Sequence, residues 1–350
     1  MKVNTLIIAE AGINHNGDLD LAREMIRSAT ESGADMVKFQ SFITASLTTK
    51  KANNASYQER NTEKGETQYD MLEKVELSSD DLHSLKDFCD ESGIAFLASV
   101  FSEDAAEQVE DIVDLWKIPS GEITNIPFLA YLAKRSKPIL LSTGMADLSE
   151  IRNAIDEIRK YWKDQSPSGI IINGNKIEPL TLLHCVSDYP ASPESMNLHT
   201  MRTLEAEFNL PVGLSDHSLG VEVSYAAVSL GAMVIEKHFT LDKTMPGPDH
   251  AASLDPTELL TLVKGIRNIE LALGDGEKKI LTSEEATKLV ARKSIHLKTN
   301  MSGGSVINQQ DLIMKRPGDG IQPGDLKRIV GKKLTRDLEA DHQLAWEDIE

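Results

Sequence analysis

VGLSDHSLGVEVSYAAVSLGAMVIEKHF, residues 212–239, decides the fold. It holds two short runs rich in β-branched and aliphatic residues, 212–217 and 233–239, joined by a stretch long enough for a crossover helix. Such a unit places two parallel strands side by side. Working outward, six more runs of the same kind precede it, at 5–12, 36–42, 94–100, 115–120, 138–144 and 180–185. Helix-like stretches lie between them. Leu148, Ile151, Ile155 and Ile158 recur at three- and four-residue spacing behind Asp147 or Ser149 as an N-cap. The clearest follows the last run: Asp255 caps, Pro256 opens, Leu259, Leu262, Val263, Ile266, Ile269 and Leu273 form the apolar stripe, and Gly274 stops it. Eight β-then-α units in about 270 residues match a closed (β/α)8 TIM barrel better than an open doubly wound sheet, which usually has fewer strands.

The remaining segments break this rhythm. Residues 43–77 are too long for a simple βα loop and are rich in Asn, Thr, Lys and Glu, so we read them as an active-site loop or lid. After Gly274, GDGEKKILTSEE reads as a linker, and from about residue 291 short runs alternate with Gly, Pro and Asp turns. The expected division is a catalytic barrel at 1–275, a linker at 276–290 and a small β-rich domain at 291–350. In the last of these, GGS at 303–305 and PGDG at 317–320 serve turns.

Composition narrows the function. With 37 basic against 55 acidic residues, the 350-residue chain carries a formal charge of −18, which argues against nucleic acid or an anionic membrane as partner. The opening MKVNTLIIAEAGINHNG has no apolar stretch long enough for a signal peptide or membrane span, so the expectation is a cytoplasmic protein. Cys89 and Cys185 lie in apolar segments and read as buried free thiols.

In a barrel of this class the site gathers where strands end and βα loops begin. The polar residues that interrupt the strand ends are Glu10, Lys38, Gln40, Ser99, Lys117, Ser120, Glu122, Ser142, Thr143, Ser187, Tyr189, Ser215, His217, Glu236 and His238. Side chains two apart face the same way, so Lys38 with Gln40, Ser215 with His217, and Glu236 with His238 project as pairs. Adjacent strands run about 4.8 Å apart, close enough for His217 and His238 to give one nitrogen each to a single cation. Such a centre keeps open positions for water and substrate oxygens, which suits Mn2+ or Mg2+ as a Lewis acid. Two hydrogen-bonded core histidines are the alternative. Of the other histidines, His15, His83, His184, His199, His296 and His342 read as solvated or structural, and His250 as a supporting group. Lys38 and Lys117, in the middle of strands facing a packed interior, call for an anion or for neutralising acids such as Glu10, Glu122 or Glu236. Serine hydroxyls beside them would complete a phosphate-and-carboxylate site. Trp116 and Tyr189 are candidate substrate walls, with core packing the alternative for Trp116.

At these residues the chain resembles the sialic acid synthase family, which covers N-acetylneuraminate synthases and the related legionaminic and pseudaminic acid synthases. The resemblance rests on AEAGINHNG (9–17), GADMVKFQSF (33–42), KIPSGEITN (117–125), ILLSTGM (139–145), LLHCVSDYP (182–190), GLSDHSLG (213–220), IEKHFTLDKTMPGPDH (235–250) and KRPGDGI (315–321), in order along nearly the whole chain. It implies condensation of phosphoenolpyruvate with an N-acyl mannose-type sugar. It also implies a domain-swapped homodimer, each barrel covered by the partner's C-terminal antifreeze-like SAF (β-clip) domain. His217 and His238 would hold the metal. Lys38, Ser99, Lys117, Ser120, Ser187 and Ser215 would bind phosphoenolpyruvate, and Glu10, Gln40, Asn61, Tyr189, Asp249 and Arg316 the sugar. Arg316 would reach across to the neighbouring barrel. Glu122, with Glu10, is the expected catalytic acid, Glu122 orienting the water that traps the cationic C2. Some relatives carry Thr where this chain has Ser99 and Asn where it has Ser187, and the sugar-contacting loop asparagine aligns ambiguously, Asn61 being one candidate. KFQSF and the 43–77 loop look closer to legionaminic-type synthases. Two rivals are a 3-deoxy-ulosonate phosphate synthase, which needs a second phosphate site for which no further arginine cluster is seen, and a non-catalytic carbohydrate- or ice-binding protein.

Overall fold

A computed structural model describes residues 4–53, 67–163 and 166–350, which fall into two compact units, Met1–Gly274 and Asp275–Glu350. In the first, eight parallel strands close into a barrel in sequential order: β1 Leu6–Gly12, β2 Met36–Ser41, β3 Ala95–Val100, β4 Trp116–Ile118, β5 Ile139–Ser142, β6 Leu180–Cys185, β7 Val212–Asp216 and β8 Val234–His238. Each falls within the run expected for it. The ring closes through β1 and β8, with Leu6 opposite Val234 and Glu10 opposite His238.

Alternation along the strands sorts side chains into two populations. Outward-facing Ile7, Ala9, Val37, Phe39, Trp116, Leu141, Leu214 and Ile235 pack under the helices in one continuous core, so Trp116 is a packing residue. Inward-facing Leu6, Ile8, Met36, Leu97, Leu115, Leu140, Leu183 and Val234 fill the lower barrel. A hairpin that the sequence reading does not anticipate, Ile170–Ile172 with Asn175–Ile177, adds Ile172 and Ile177 to this cluster. Below, the barrel is floored with apolar side chains; above, the same parity turns polar.

The helices begin and end where their caps dictate. Asp147 caps Leu148–Trp162 and Asp255 caps Pro256–Leu273, each in a reciprocal box with the glutamate three residues on. The stripe of the last helix is buried through Ile266, whereas Leu273 stands exposed, past the end of the layer it covers. Arg267 ties this helix to the first strands, its Nη2 2.7 Å from Asp35 Oδ2 and its Nη1 donating to Thr5 O at 2.8 Å. Asp35 Oδ2 also accepts from Ile7 N at 2.8 Å, so one buried carboxylate ties the first strand to the last helix.

Residues 43–77 carry more structure than a loop. Helices Thr44–Leu47 and Gln68–Glu73 stand at its two ends, and Met71, Leu72 and Val75 join Ile13 and Phe42 in a small core of their own. Asn61 lies outside the described residues. Beside this core His15 is buried against Phe39, ring centroids 6.0 Å apart, and its Nδ1 accepts from Gly17 N at 3.1 Å. Burial pushes His15 down to about 4. Its folded value lies below the unfolded one, so stability is complete above about pH 6.5 and is lost as pH falls toward 4. Between pH 7.5 and 5 this one group is expected to remove about 2 kcal/mol. His15→Gln should lose correspondingly less than the parent over that interval in urea unfolding.

In the second unit, Ser294–Leu297 pairs antiparallel with Leu312–Lys315, and isolated bridges such as Met301 to Leu338 and Leu334 to Ile349 extend the β character. Ile295, Leu297, Ile307, Ile329, Leu334 and Leu344 form its core. Within the stretch read as a linker, Thr282–Ala291 is helical, its polar sequence hiding a good helix former with Leu289 and Val290 exposed. Among the described residues no helix is long and apolar enough to cross a membrane. Cys89 and Cys185 are buried free thiols.

Candidate active site

At the height where the barrel interior turns polar, the strand ends enclose a cavity of about 460 Å³. Register puts its charges in contact. Glu10 on β1 faces Lys38 on β2, and Glu236 on β8 faces Ser215 on β7. Lys38 Nζ lies 2.9 Å from Glu10 Oε2 and 3.4 Å from Glu236 Oε2, and donates to Ser99 Oγ at 2.7 Å. Lys117 Nζ donates to Ser142 Oγ at 2.9 Å and is 3.6 Å from Glu236 Oε1, which also accepts from Ser215 Oγ at 2.8 Å. Neutralisation by interior acids therefore holds in full for Lys38 and weakly for Lys117.

The electrostatics follow the contacts. Burial, only partly offset by Lys38, pushes Glu10 up to about 7. Burial also opposes the charge on Glu236, yet Lys117, Lys38 and the Ser215 hydroxyl together hold it down to about 2. Against burial, Glu10 and Glu236 carry Lys38 above the usual lysine range, whereas burial holds Lys117 below it. With two lysines facing one firmly ionised carboxylate and one that titrates near neutrality, the floor has room for an anion's charge.

His217 and His238 stand above this floor on adjacent strands, ring centroids 5.4 Å apart. His217 Nδ1 is 2.8 Å from Val186 O, and a carbonyl only accepts, so Nδ1 carries the proton and Nε2 is left to the cavity side, 3.5 Å from Ser215 Oγ. Tyr189 stacks on His217 at 4.0 Å and meets His238 edge-on. His238 Nδ1 is buried without a hydrogen-bond partner, and burial, with His217 and Lys38, keeps the ring neutral. A neutral imidazole and a ring fixed by a backbone carbonyl suit metal ligation. Among the described residues no group of three or more His, Cys, Asp or Glu could hold a metal ion, and of the expected ligands it is these two imidazoles that converge. His250 is not a supporting group of this pair; it bonds Thr240 Oγ1 and Asn16 Oδ1.

Gly144 shapes the cavity side just past the end of β5. Its N–H donates to Ser120 Oγ at 3.0 Å, and an added Cβ would lie 2.4 Å from Ser187 Oγ and 2.8 Å from Ser120 Oγ, so only glycine lets these hydroxyls converge. Asp249, buried at the rim, is pushed up to about 6 by desolvation, with His217 opposing.

Glu10, Lys38, Gln40, Ser99, Lys117, Ser120, Ser187, Tyr189, Ser215, His217, His238 and Asp249 thus line one cavity, together with Glu236, Ser142 and Cys185, which were not among the expected binding residues. Parity with His238 pointed to Glu236, and Ser142 stood among the polar residues at the strand ends. Glu122 is not in the lining. It sits half-buried in the turn Ser120–Glu122, where Asn125 Nδ2 donates to its Oε2 at 2.7 Å and burial raises its carboxyl. Arg316 belongs to the second unit, exposed, with its Nε donating to Ala291 O at 3.0 Å. Among the described residues the lining holds no arginine, which leaves a second phosphate without a partner of that kind.

Comparison with known proteins identifies relatives along nearly the whole chain. The chain is 47% identical to the N,N'-diacetyllegionaminic acid synthase of Legionella pneumophila subsp. pneumophila, covering 100% of this chain and 96% of that one. It is 45% identical to the enzyme of the same name from Campylobacter jejuni subsp. jejuni, covering 96% and 98%. The structure of N-acetylneuraminic acid (sialic acid) synthetase from Leptospira borgpetersenii superposes with a TM-score of 0.66 at 34% identity, covering 81% of this chain and 90% of that one. A SAF domain model matches residues 292–350. The NeuB family model matches residues 25–278, a span that holds seven of the eight strands and both histidines, and on that match the chain belongs to the NeuB family.

Proposed function

We propose that this chain is a nonulosonic acid synthase that condenses phosphoenolpyruvate with N-acetylmannosamine or a related N-acyl mannose-type sugar. C3 of phosphoenolpyruvate adds to the open-chain aldehyde, water adds at C2, and phosphate leaves. The observation that carries the reading is that two lysines and a histidine pair line a single cavity open at the strand ends. A bound Mn2+ or Mg2+ held by His217 and His238 would supply Lewis-acid polarisation of the aldehyde.

The chain's own groups do the rest. Lys117 and Lys38, with Ser99, Ser120, Ser187 and Ser215, hold the carboxylate and phosphate. Gln40, Glu10, Tyr189 and Asp249 surround the sugar. Glu122, though outside the lining and bonded to Asn125, is the proposed water-orienting acid: it is carried on the turn that supplies lining Ser120 and Gly121, and the role requires its carboxyl to leave Asn125. Glu122→Gln is expected to lower turnover by about 10²-fold or more while phosphoenolpyruvate binding persists. Near-normal turnover would move the role to Glu10, whose carboxyl lies in the cavity. A homodimer, with Arg316 of each copy serving the other's sugar site, completes the proposal, and equilibrium sedimentation at micromolar concentration tests it. Free buried thiols fit a cytoplasmic location.

The two legionaminic relatives favour 2,4-diacetamido-2,4,6-trideoxymannose as the sugar. Phosphate release from phosphoenolpyruvate, with Mn2+ or with EDTA, decides between sugars offered side by side. Metal-dependent release with either establishes a synthase and names its substrate; no release with either overturns the reading.

A further inference from the structure

We infer that Leu72, with Leu47, Phe101 and Ile13, receives the C6 end of the sugar and selects a methyl over a hydroxymethyl group there; this rests on the synthase reading. The cavity is two-sided. Its floor is charged, but toward β1, β2 and β3 it is lined by these four apolar side chains. All four belong to the small core beneath helices Thr44–Leu47 and Gln68–Glu73, so the wall is the inner skin of a packed layer.

Height along the barrel assigns the wall to one end of the substrate. The aldehyde must reach the strand-end histidines and the lysine floor. Ile13 and Phe101 stand one residue beyond the ends of β1 and β3, and Leu47 and Leu72 lie on the helices beyond β2. Ile13 and Phe101 are thus level with His217, itself one residue past β7, while Leu47 and Leu72 lie farther out, where the far end of an open-chain sugar comes. C2 and its acyl group, next to the aldehyde, stay with the floor. A buried hydroxyl needs a partner, and these four side chains have none to give. Gln68, the polar neighbour in the lining, has its Oε1 accepting from Thr48 Oγ1 at 2.9 Å, which leaves its Nε2 as the group a hydroxyl could reach and keeps the expected preference modest. A methyl group loses nothing there.

Apolar pockets discriminate modestly against an added hydroxyl, so the expected preference is about 10- to 100-fold. The test compares kcat/KM for 2,4-diacetamido-2,4,6-trideoxymannose and its 6-hydroxy counterpart, which differ only at C6. The parent should prefer the 6-deoxy sugar by that factor. Leu72→Asn should bring the ratio to within about threefold, chiefly through a raised KM for the 6-deoxy sugar. Leu47→Gln, at a half-buried position less critical to folding, should shift the ratio in the same direction. Equal use of both sugars by the parent, preference for the 6-hydroxy form, or variants that weaken both sugars alike overturns the inference while leaving the synthase reading intact. Failure to release phosphate with either sugar, and with N-acetylmannosamine, removes the synthase reading and the inference with it.

Discussion

Lys117→Met is expected to lower kcat/KM for phosphoenolpyruvate by about 10³-fold while leaving folding stability within about 1 kcal/mol of the parent. Lys117 is fully buried, yet its nearest carboxylate oxygen is 3.6 Å away and burial holds its ammonium below the usual range. It is an ill-compensated charge, so methionine in its place costs the free protein little. Glu236 keeps Lys38 at 3.4 Å and the Ser215 hydroxyl. An arriving anion, by contrast, loses the lysine least committed elsewhere. Lys38→Met should behave differently. Lys38 lies against both Glu10 and Glu236, and its removal leaves Glu10 with the long Gln40 bond and Glu236 with Lys117 at 3.6 Å and Ser215, at a cost of about 3 kcal/mol in addition to the lost activity. Steady-state phosphate release and urea unfolding on the two variants separate these effects. A Lys117→Met enzyme within tenfold of the parent would falsify the anion-binding role.

Gly213→Ala should be strongly disruptive for a single added methyl. Gly213 shares the inward parity of Ser215 and His217, and a Cβ there would stand 2.5 Å from the carbonyl oxygen of Val234 and 2.8 Å from Leu183 Cδ2. The first obstacle is backbone of the next strand, which cannot rotate away. Relief requires β7 and β8 to move apart, at about 3 kcal/mol, and those are the strands that carry His217 and His238. Thermal unfolding should show a midpoint lower by several degrees, and titration calorimetry with Mn2+ a weaker site. Gly324→Ala, where nothing lies within 4 Å of the added atom, serves as the control and should change neither.

Local patterning accounts for what sequence reasoning reached. Short β-branched runs at regular spacing mark strands because a strand buried on both faces has no room for polar groups except at its ends. For the same reason Glu10, Lys38, Ser99, Lys117, Ser215, Glu236 and His238 stood out along the strands. Caps at Asp147 and Asp255 were legible because each is a contiguous hydrogen-bonding motif. Other features had no such signal. The hairpin at 170–177 is three residues per strand, too short for period-two alternation to register, and it matters only because Ile172 and Ile177 meet side chains distant in sequence. The helix Thr282–Ala291 has exposed leucine and valine among charges and so lacks the contrast that marks an amphipathic face.

The sequence by itself determined the eight-stranded barrel, the β-rich tail and the inward parity of the polar residues, because these depend on periodicities read within a few residues of one another. Tertiary structure alone decided how the charges are shared. Glu236 became the hub between Lys38, Lys117 and Ser215, and Glu122 turned to Asn125 instead of the cavity. It also decided that Leu47, Leu72, Phe101 and Ile13 converge on one wall. Register between strands, turn geometry and the packing of helices Thr44–Leu47 and Gln68–Glu73 over β1 to β3 set those distances, and none of the three is encoded in any local run.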